Sequence, residues 1–297
     1  MDVLKLWRRV RGLRERLRFK YGPQAATLLA DISTYQARRA LAASGPLAIL
    51  VDNSVLGNAI THETAWVSTG TKKWGPHDVA TGYSARIPVH PADSASVEYE
   101  HVKYLTGITH LARRGHLHLK TSAELQDETW RHPMGRFSGY GYFDYSLFNG
   151  IKLESVDGIK IPTLGPSYLN LPTPAEQQQA RLASSGDALY KALLEKLGQK
   201  NSQDAWHIRT AETHGLFCFL TMDFKLRKTF EQLKGTEPFR SLTTRVMTPV
   251  ELGQHLGIMP LPPHIFSYND ASFFVRSDLS MPGGKRRPLR LYKKSRP

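Results

Sequence analysis

The most informative part of the chain runs from Asp204 to Leu252. It reads Ser202-Gln-Asp204-Ala-Trp-His-Ile-Arg-Thr-Ala-Glu212, then His214-Gly215-Leu-Phe-Cys-Phe-Leu-Thr221-Met-Asp223-Phe-Lys-Leu-Arg227, and further on Arg245-Val-Met-Thr-Pro249-Val-Glu-Leu252. Trp206, Ile208 and Ala211 fall about one turn apart, Asp204 sits in the first turn and Gly215 marks the end, so the first piece predicts a helix. Leu216 to Leu220 is a short apolar run, dense in aromatics and bounded by Gly and Asp, as a strand buried on both faces of a parallel sheet should be. Asp223 follows at once. An acid at a helix start and another just past the carboxyl end of the next strand put two carboxylates at the rim of an α/β sheet, where ligands bind.

Upstream, Leu47-Ala-Ile-Leu-Val51-Asp52-Asn53-Ser54-Val-Leu56 repeats the pattern: a continuous apolar run after Gly45-Pro46 predicts a buried strand, with Asp52 emerging at its carboxyl end. Taken alone, Asp52 also suits a turn or a helix cap. A helix is expected over 95–114, where Val97, Val102, Leu105, Ile108 and Leu111 recur before Gly115. A strand over 117–121 follows, and Ser122 caps a further helix on which Glu124 and Glu128, four residues apart, share a face.

Thr-x-Asp after an apolar strand, an acid at the start of the preceding helix, and Val-x-Thr-Pro-x-Glu-Leu closing a strand and a helix together resemble the carboxyl half of the PIN domain, a family of metal-dependent ribonucleases. The resemblance implies a three-layer α/β/α fold with a central, mainly parallel sheet. It also implies four acids at one edge of that sheet. Asp52 is the first, with Asn53 and Ser54 as the small polar residues that hold it. Glu128 is the second, since the family places this acid about two turns into its helix; Glu124 stands in reserve. Asp204 and Asp223 complete the set, with Thr221 in support. Either glutamate alone also reads as a solvated acid favoured by the helix dipole. Four carboxylates brought together repel unless divalent cations neutralise them, and such oxygen donors suit Mg²⁺ or Mn²⁺. The implied reaction is hydrolysis of RNA by a metal-activated water, leaving a 5′-phosphate. His116 and His118 share a strand face with His132 nearby, but scattered histidines in a basic protein make a histidine metal site the weaker expectation.

The 297 residues are 40% hydrophobic, enough for a sizeable core, while the net charge of +14 and pI near 9.8 point to a polyanionic partner, nucleic acid before membrane. The single Cys218 excludes an internal disulfide and any Cys-rich zinc site. No apolar run approaches the ~18 residues of a spanning helix, so a reducing, cytoplasmic setting is expected.

Three regions divide the chain. Residues 1–45 are read as a basic helical extension. In its first 20 residues Val3, Leu6, Trp7, Val10, Leu13 and Leu17 form a stripe among Lys5, Arg8, Arg9, Arg11, Arg14, Arg16, Arg18 and Lys20, suited to a docked helix, a nucleic-acid arm or a membrane-surface or targeting helix. A turn at Gly22-Pro23 and a second helix over 24–43 follow. Residues 46–256 form the PIN-like domain, with insertions near 61–95, read as loops or a short hairpin, and 133–174. Glu128 lies 76 residues from both Asp52 and Asp204, more than a compact domain of this type needs. Tyr140, Tyr142, Phe143 and Tyr145 among glycines either pack on the domain or offer rings for base stacking. One helix is expected over 175–197. Residues 257–297 form a Pro-rich tail whose Lys285, Arg286 and Arg287 suit phosphate, as do Lys225 and Arg227 beside Asp223. RNA is the expected partner, with an antitoxin or other protein and a homo-oligomer also open. A PIN-like RNA-binding or assembly module without turnover, and a single-stranded DNA nuclease, are the competing functions.

Overall fold

Two short apolar strands set the architecture. β1 (Leu47–Val51) and β6 (Cys218–Leu220) lie side by side and parallel, with Ile49 opposite Cys218 and Val51 opposite Leu220. The computed structural model describes residue 17 and residues 20–90, 94–131, 146–158 and 171–266, without the side chains of 62–69, 80, 82–88, 130 and 131. β4 (Leu117–Thr121) and then β5 (Glu154–Ser155) extend the sheet on one side of β1, and β7 (Arg245–Met247) extends it beyond β6. All five strands are parallel, in the order β5-β4-β1-β6-β7.

Successive side chains of a strand face opposite ways, so each apolar run feeds two cores. Ile49, Val51, Cys218, Leu220 and Met247 pack with Leu41 of α2 (Tyr35–Ser44), Val102, Leu105 and Ile108 of α4 (Val97–Arg113), and Leu252 of α10 (Pro249–Leu256). Leu50, Phe219 and Val246 face the other way. They meet Leu125 of α5 (Ala123–Arg131), Leu182 of α6 (Pro174–Ala183), Leu193 of α7 (Ala188–Leu197), Ile208 of α8 (Ser202–Thr213) and Leu226 of α9 (Phe224–Leu233). Helices cover both faces, and the fold is a three-layer α/β/α sandwich. Each wholly buried side chain such as Leu50 or Ile49 contributes about 1.5–3 kcal/mol. On the first face α4 and α10 approach so closely that a Cβ at Gly253 would overlap the Tyr104 ring, and one at Gly107 would overlap Ile258.

Three expectations need correction. The expected turn at Gly22-Pro23 is absent: helix α1 (20–33 among the described residues) runs through it, and breaks at Thr34, whose hydroxyl donates to the Ala30 carbonyl at 2.7 Å. The helix read over 175–197 is two helices: α6 starts with a Thr173/Glu176 capping box, and α7 starts where the Asp187 carboxylate accepts the Tyr190 N–H at 2.7 Å. The segment after α3 (Asn53–Asn58), read as loops or a short hairpin, is a hairpin but a long one, β2 (His62–Trp74) with β3 (His77–Pro88), forming a sheet of its own. Most of the basic amino-terminal stripe, the 140–145 aromatics and the Lys285–Arg287 cluster lie outside the described residues. Among the described residues no helix is long and apolar enough to cross a membrane.

Candidate active site

Asp52 follows the last residue of β1 and stands at the head of α3, so it leaves the carboxyl edge of the sheet at its centre. Its Oδ2 accepts the hydroxyls of Thr221, at 2.7 Å, and of Ser54. The same two hydroxyls accept backbone N–H groups from the end of β6: Ser54 Oγ from Met222 at 2.9 Å, and Thr221 Oγ1 from Asp223 at 3.0 Å. Two adjacent strand ends are thereby tied through one carboxylate. Asp223 is exposed and caps α9, its Oδ1 accepting the N–H groups of Lys225 and Leu226 at 2.8 and 3.0 Å.

Glu128 approaches from α5, beside β1. Asn53 Nδ2 donates to its Oε2 at 3.2 Å, while Gln178 Nε2 and His207 Nε2 reach its Oε1 at 3.0 and 3.1 Å. Asn53 is itself fixed by the Leu125 carbonyl at 2.8 Å and the Thr129 hydroxyl at 2.7 Å, and Gln203 donates to Gln178. Asp204 comes from the first turn of α8. A helix leading into a parallel strand runs back across the sheet, so its start lies over the strands' carboxyl edge.

Electrostatics report the convergence. Burial, reinforced by the charges of Asp52, Asp223 and Glu128, raises the Asp204 pKa to about 6 against the pull of His207. Burial would strip the proton from the His207 ring, yet the charge and hydrogen bond of Glu128, with the charges of Asp52 and Asp204, outweigh it and raise its pKa to about 9. Four acids from four separate elements thus share one field, with one buried imidazolium among them.

Neither His207 nor Gln178 and Gln203 was singled out from the sequence. His207 lies three residues after Asp204 and so on the same face of α8, a signal that was present; the glutamines carried none. Two candidates are engaged elsewhere. Glu124 is turned to α6, where Arg181 donates to both its oxygens at 3.2 and 2.9 Å and also to Asp127 at 3.0 Å. Arg227 forks onto both oxygens of Glu251, at 2.8 and 2.6 Å, and pairs with Glu231 at 2.7 Å, linking α9 to α10 rather than facing a phosphate. Lys225 is exposed. Cys218 is wholly buried in β6 and burial pushes its pKa up, the setting of an inert core thiol.

The donor set suits a hard divalent cation. Among the described residues, Oδ1 of Asp52, Oδ2 of Asp223 and both oxygens of Asp204 accept no hydrogen bond, and a cation there would offset both the burial of the Asp204 carboxylate and its repulsion by Asp52, Asp223 and Glu128. Among the described residues no three His, Cys, Asp or Glu side chains are grouped closely enough to hold an ion. Glu128 in particular is turned to His207, Gln178 and Asn53. Comparison with protein-family models, with curated proteins and with solved structures finds no match in any of the three.

Proposed function

We propose that the chain is a metal-dependent endoribonuclease of the PIN-domain type. The observation that carries this reading is the approach of Asp52, Asp223 and Glu128 to the buried Asp204, whose pKa burial and then these three charges raise to about 6. A site meant only to hold RNA gains nothing from a cluster of acids that repels phosphate. Asp52, Asp204 and Asp223 would hold one or two Mg²⁺ or Mn²⁺ ions, with Glu128 at their side. Bound there, the cation supplies a water activated for attack on a phosphodiester and neutralises charge on the leaving oxygen.

The protein's own residues do the positioning. Ser54 and Thr221 fix one oxygen of Asp52 and leave the other open. The imidazolium of His207 offsets one carboxylate inside the cluster, while Asn53 and Gln178 orient Glu128. The overall charge of +14 favours a polyanionic substrate. A cytoplasmic enzyme acting on cellular RNA accords with these features.

The test is incubation of the native chain with labelled RNA and single-stranded DNA of matched sequence, in Mn²⁺ or in EDTA, followed by analysis of the product ends. RNA cut only with metal, leaving 5′-phosphates, is the expected result. Cutting of DNA alone would reassign the substrate, and salt-sensitive binding without cutting in any metal would overturn the enzyme reading.

A further inference from the structure

The β2–β3 hairpin has no part in the acid cluster, yet it is rooted beside it. Its first strand starts just after α3, the short helix headed by Asp52. The Asn58 side chain of that helix donates to the Ser54 carbonyl at 2.8 Å, and the His90 ring contacts the Asn58 carbonyl at 3.3 Å where β3 returns. Ala59 and Ile60 at the root are buried, and Ile60 bridges to Ser146. The foot is therefore fixed to the domain within a few residues of the proposed metal ligands.

The far end is different. Thirteen residues of β2 at ~3.4 Å each give an arm of roughly 40 Å. All of residues 70–79 are exposed, on both faces of a two-stranded ribbon. Gly75, at φ 63, followed by Pro76 matches a type II′ turn, which keeps the ribbon tight and twisted. Opposed residues of an antiparallel pair share a face. Trp74 with His77 and Lys72 with Val79 therefore occupy one face, while Lys73 lies opposite Asp78 on the other. One face offers an indole, an imidazole and a lysine with no acid opposite; the other offers a lysine facing an aspartate. Trp74 is 79% exposed, the most exposed large apolar side chain among the described residues, and Val79 on the same face is 42% exposed, so the indole is open to a stacking partner.

We propose that the Trp74/His77/Lys72 face of the hairpin tip binds single-stranded nucleic acid, stacking a base on Trp74 and placing Lys72 on the backbone, so that the arm holds substrate RNA away from the cutting site. Aromatic rings interleaved with cations are the usual platform for single strands. The basic character of the chain and the fixed foot beside the acids favour this occupant over a protein or a lipid surface. The substrate role rests on the nuclease reading; binding by the tip does not.

The test uses the full chain in EDTA, where no cutting is expected, with fluorescent 20-nucleotide RNA and DNA oligomers. Trp74→Ala should weaken binding about tenfold, the order expected for one stacked base. Lys72→Ala should reduce the salt slope by about 0.7, the value for one single-strand phosphate contact. Lys73→Ala should do less. In Mn²⁺ the Trp74→Ala protein should show a raised KM on the 20-mer and an unchanged kcat, whereas a failed nuclease reading would leave the binding data standing. The proposal is overturned if the native chain binds neither oligomer, or if Trp74→Ala and Lys72→Ala bind like the native chain. It is overturned too if Trp74→Ala abolishes self-association or vesicle binding while RNA affinity stays the same.

Discussion

Asp204→Asn should make the metal-free protein more stable. The substitution keeps the shape of the side chain and removes its charge. Burial and the surrounding acids raise the Asp204 pKa from 3.8 to about 6, so the ionised carboxyl is held at a cost in the folded state. Two units at 1.36 kcal/mol each give a penalty of up to about 3 kcal/mol at pH 7.5. The sign follows from the direction of the shift: a raised carboxyl pKa favours folding below the unfolded value, and that advantage is lost as pH rises through the folded value. The penalty is therefore complete above pH ~7, falls to about a third by pH 4.5, and is absent below both pKa values. Urea unfolding in EDTA at pH 7.5 and at pH 4.5 measures it. In Mn²⁺ at about a thousand times Kd the order should invert, because the cation stabilises only a chain that binds it, by ~4.1 kcal/mol, which exceeds the penalty. An Asp204→Asn protein no more stable than the native one at pH 7.5 in EDTA would refute the crowding of acids around Asp204.

Three further outcomes follow from the geometry. His207→Gln should destabilise the metal-free chain by about 3 kcal/mol at pH 6–7, with the loss shrinking toward pH 9.5, because a raised imidazole pKa contributes stability below 6.5 that disappears through about 9. Urea unfolding at the two pH values reads this. Arg227→Ala should cost about 1 kcal/mol by severing α9 from α10, while kcat/KM on RNA stays unchanged; a raised KM would restore a phosphate-binding role. Gly253→Ala should lower stability by about 1–3 kcal/mol in thermal melts, since the new methyl group must displace the Tyr104 ring where α4 crosses α10.

Legibility tracked the parallel sheet. A strand buried on both faces is a solid apolar run, so Leu47–Val51 and Leu216–Leu220 declared themselves, and Asp52 and Asp223 were located simply as what comes next. The same logic failed for the hairpin. Its outer part is solvated on both faces, so residues 70–79 show no alternation of apolar and polar side chains to read. The α6–α7 break was written in Ser184-Ser185-Gly186-Asp187, but Leu182, Leu189 and Leu193 keep an apolar spacing across it and suggest one helix. His207 was obscured differently. Set among Trp206, Ile208 and Ala211 it looks like part of a core face, and only the approach of Glu128 from another helix gives it a charge. The pairing of Arg181 with Glu124, which separates two glutamates four residues apart, likewise depends on a helix more than fifty residues away.

The central claim is that Asp52 and Asp223 belong to one metal-dependent catalytic centre. It is tested most directly by the single-turnover rate of RNA cleavage in Mn²⁺ for the native chain, Asp52→Asn and Asp223→Asn. Even outer-sphere partners of a bound metal cost 10–100-fold when removed, so each variant should lose more than about a hundredfold. Cleavage by either variant at the native rate, or cleavage by the native chain that persists in EDTA, would contradict the account.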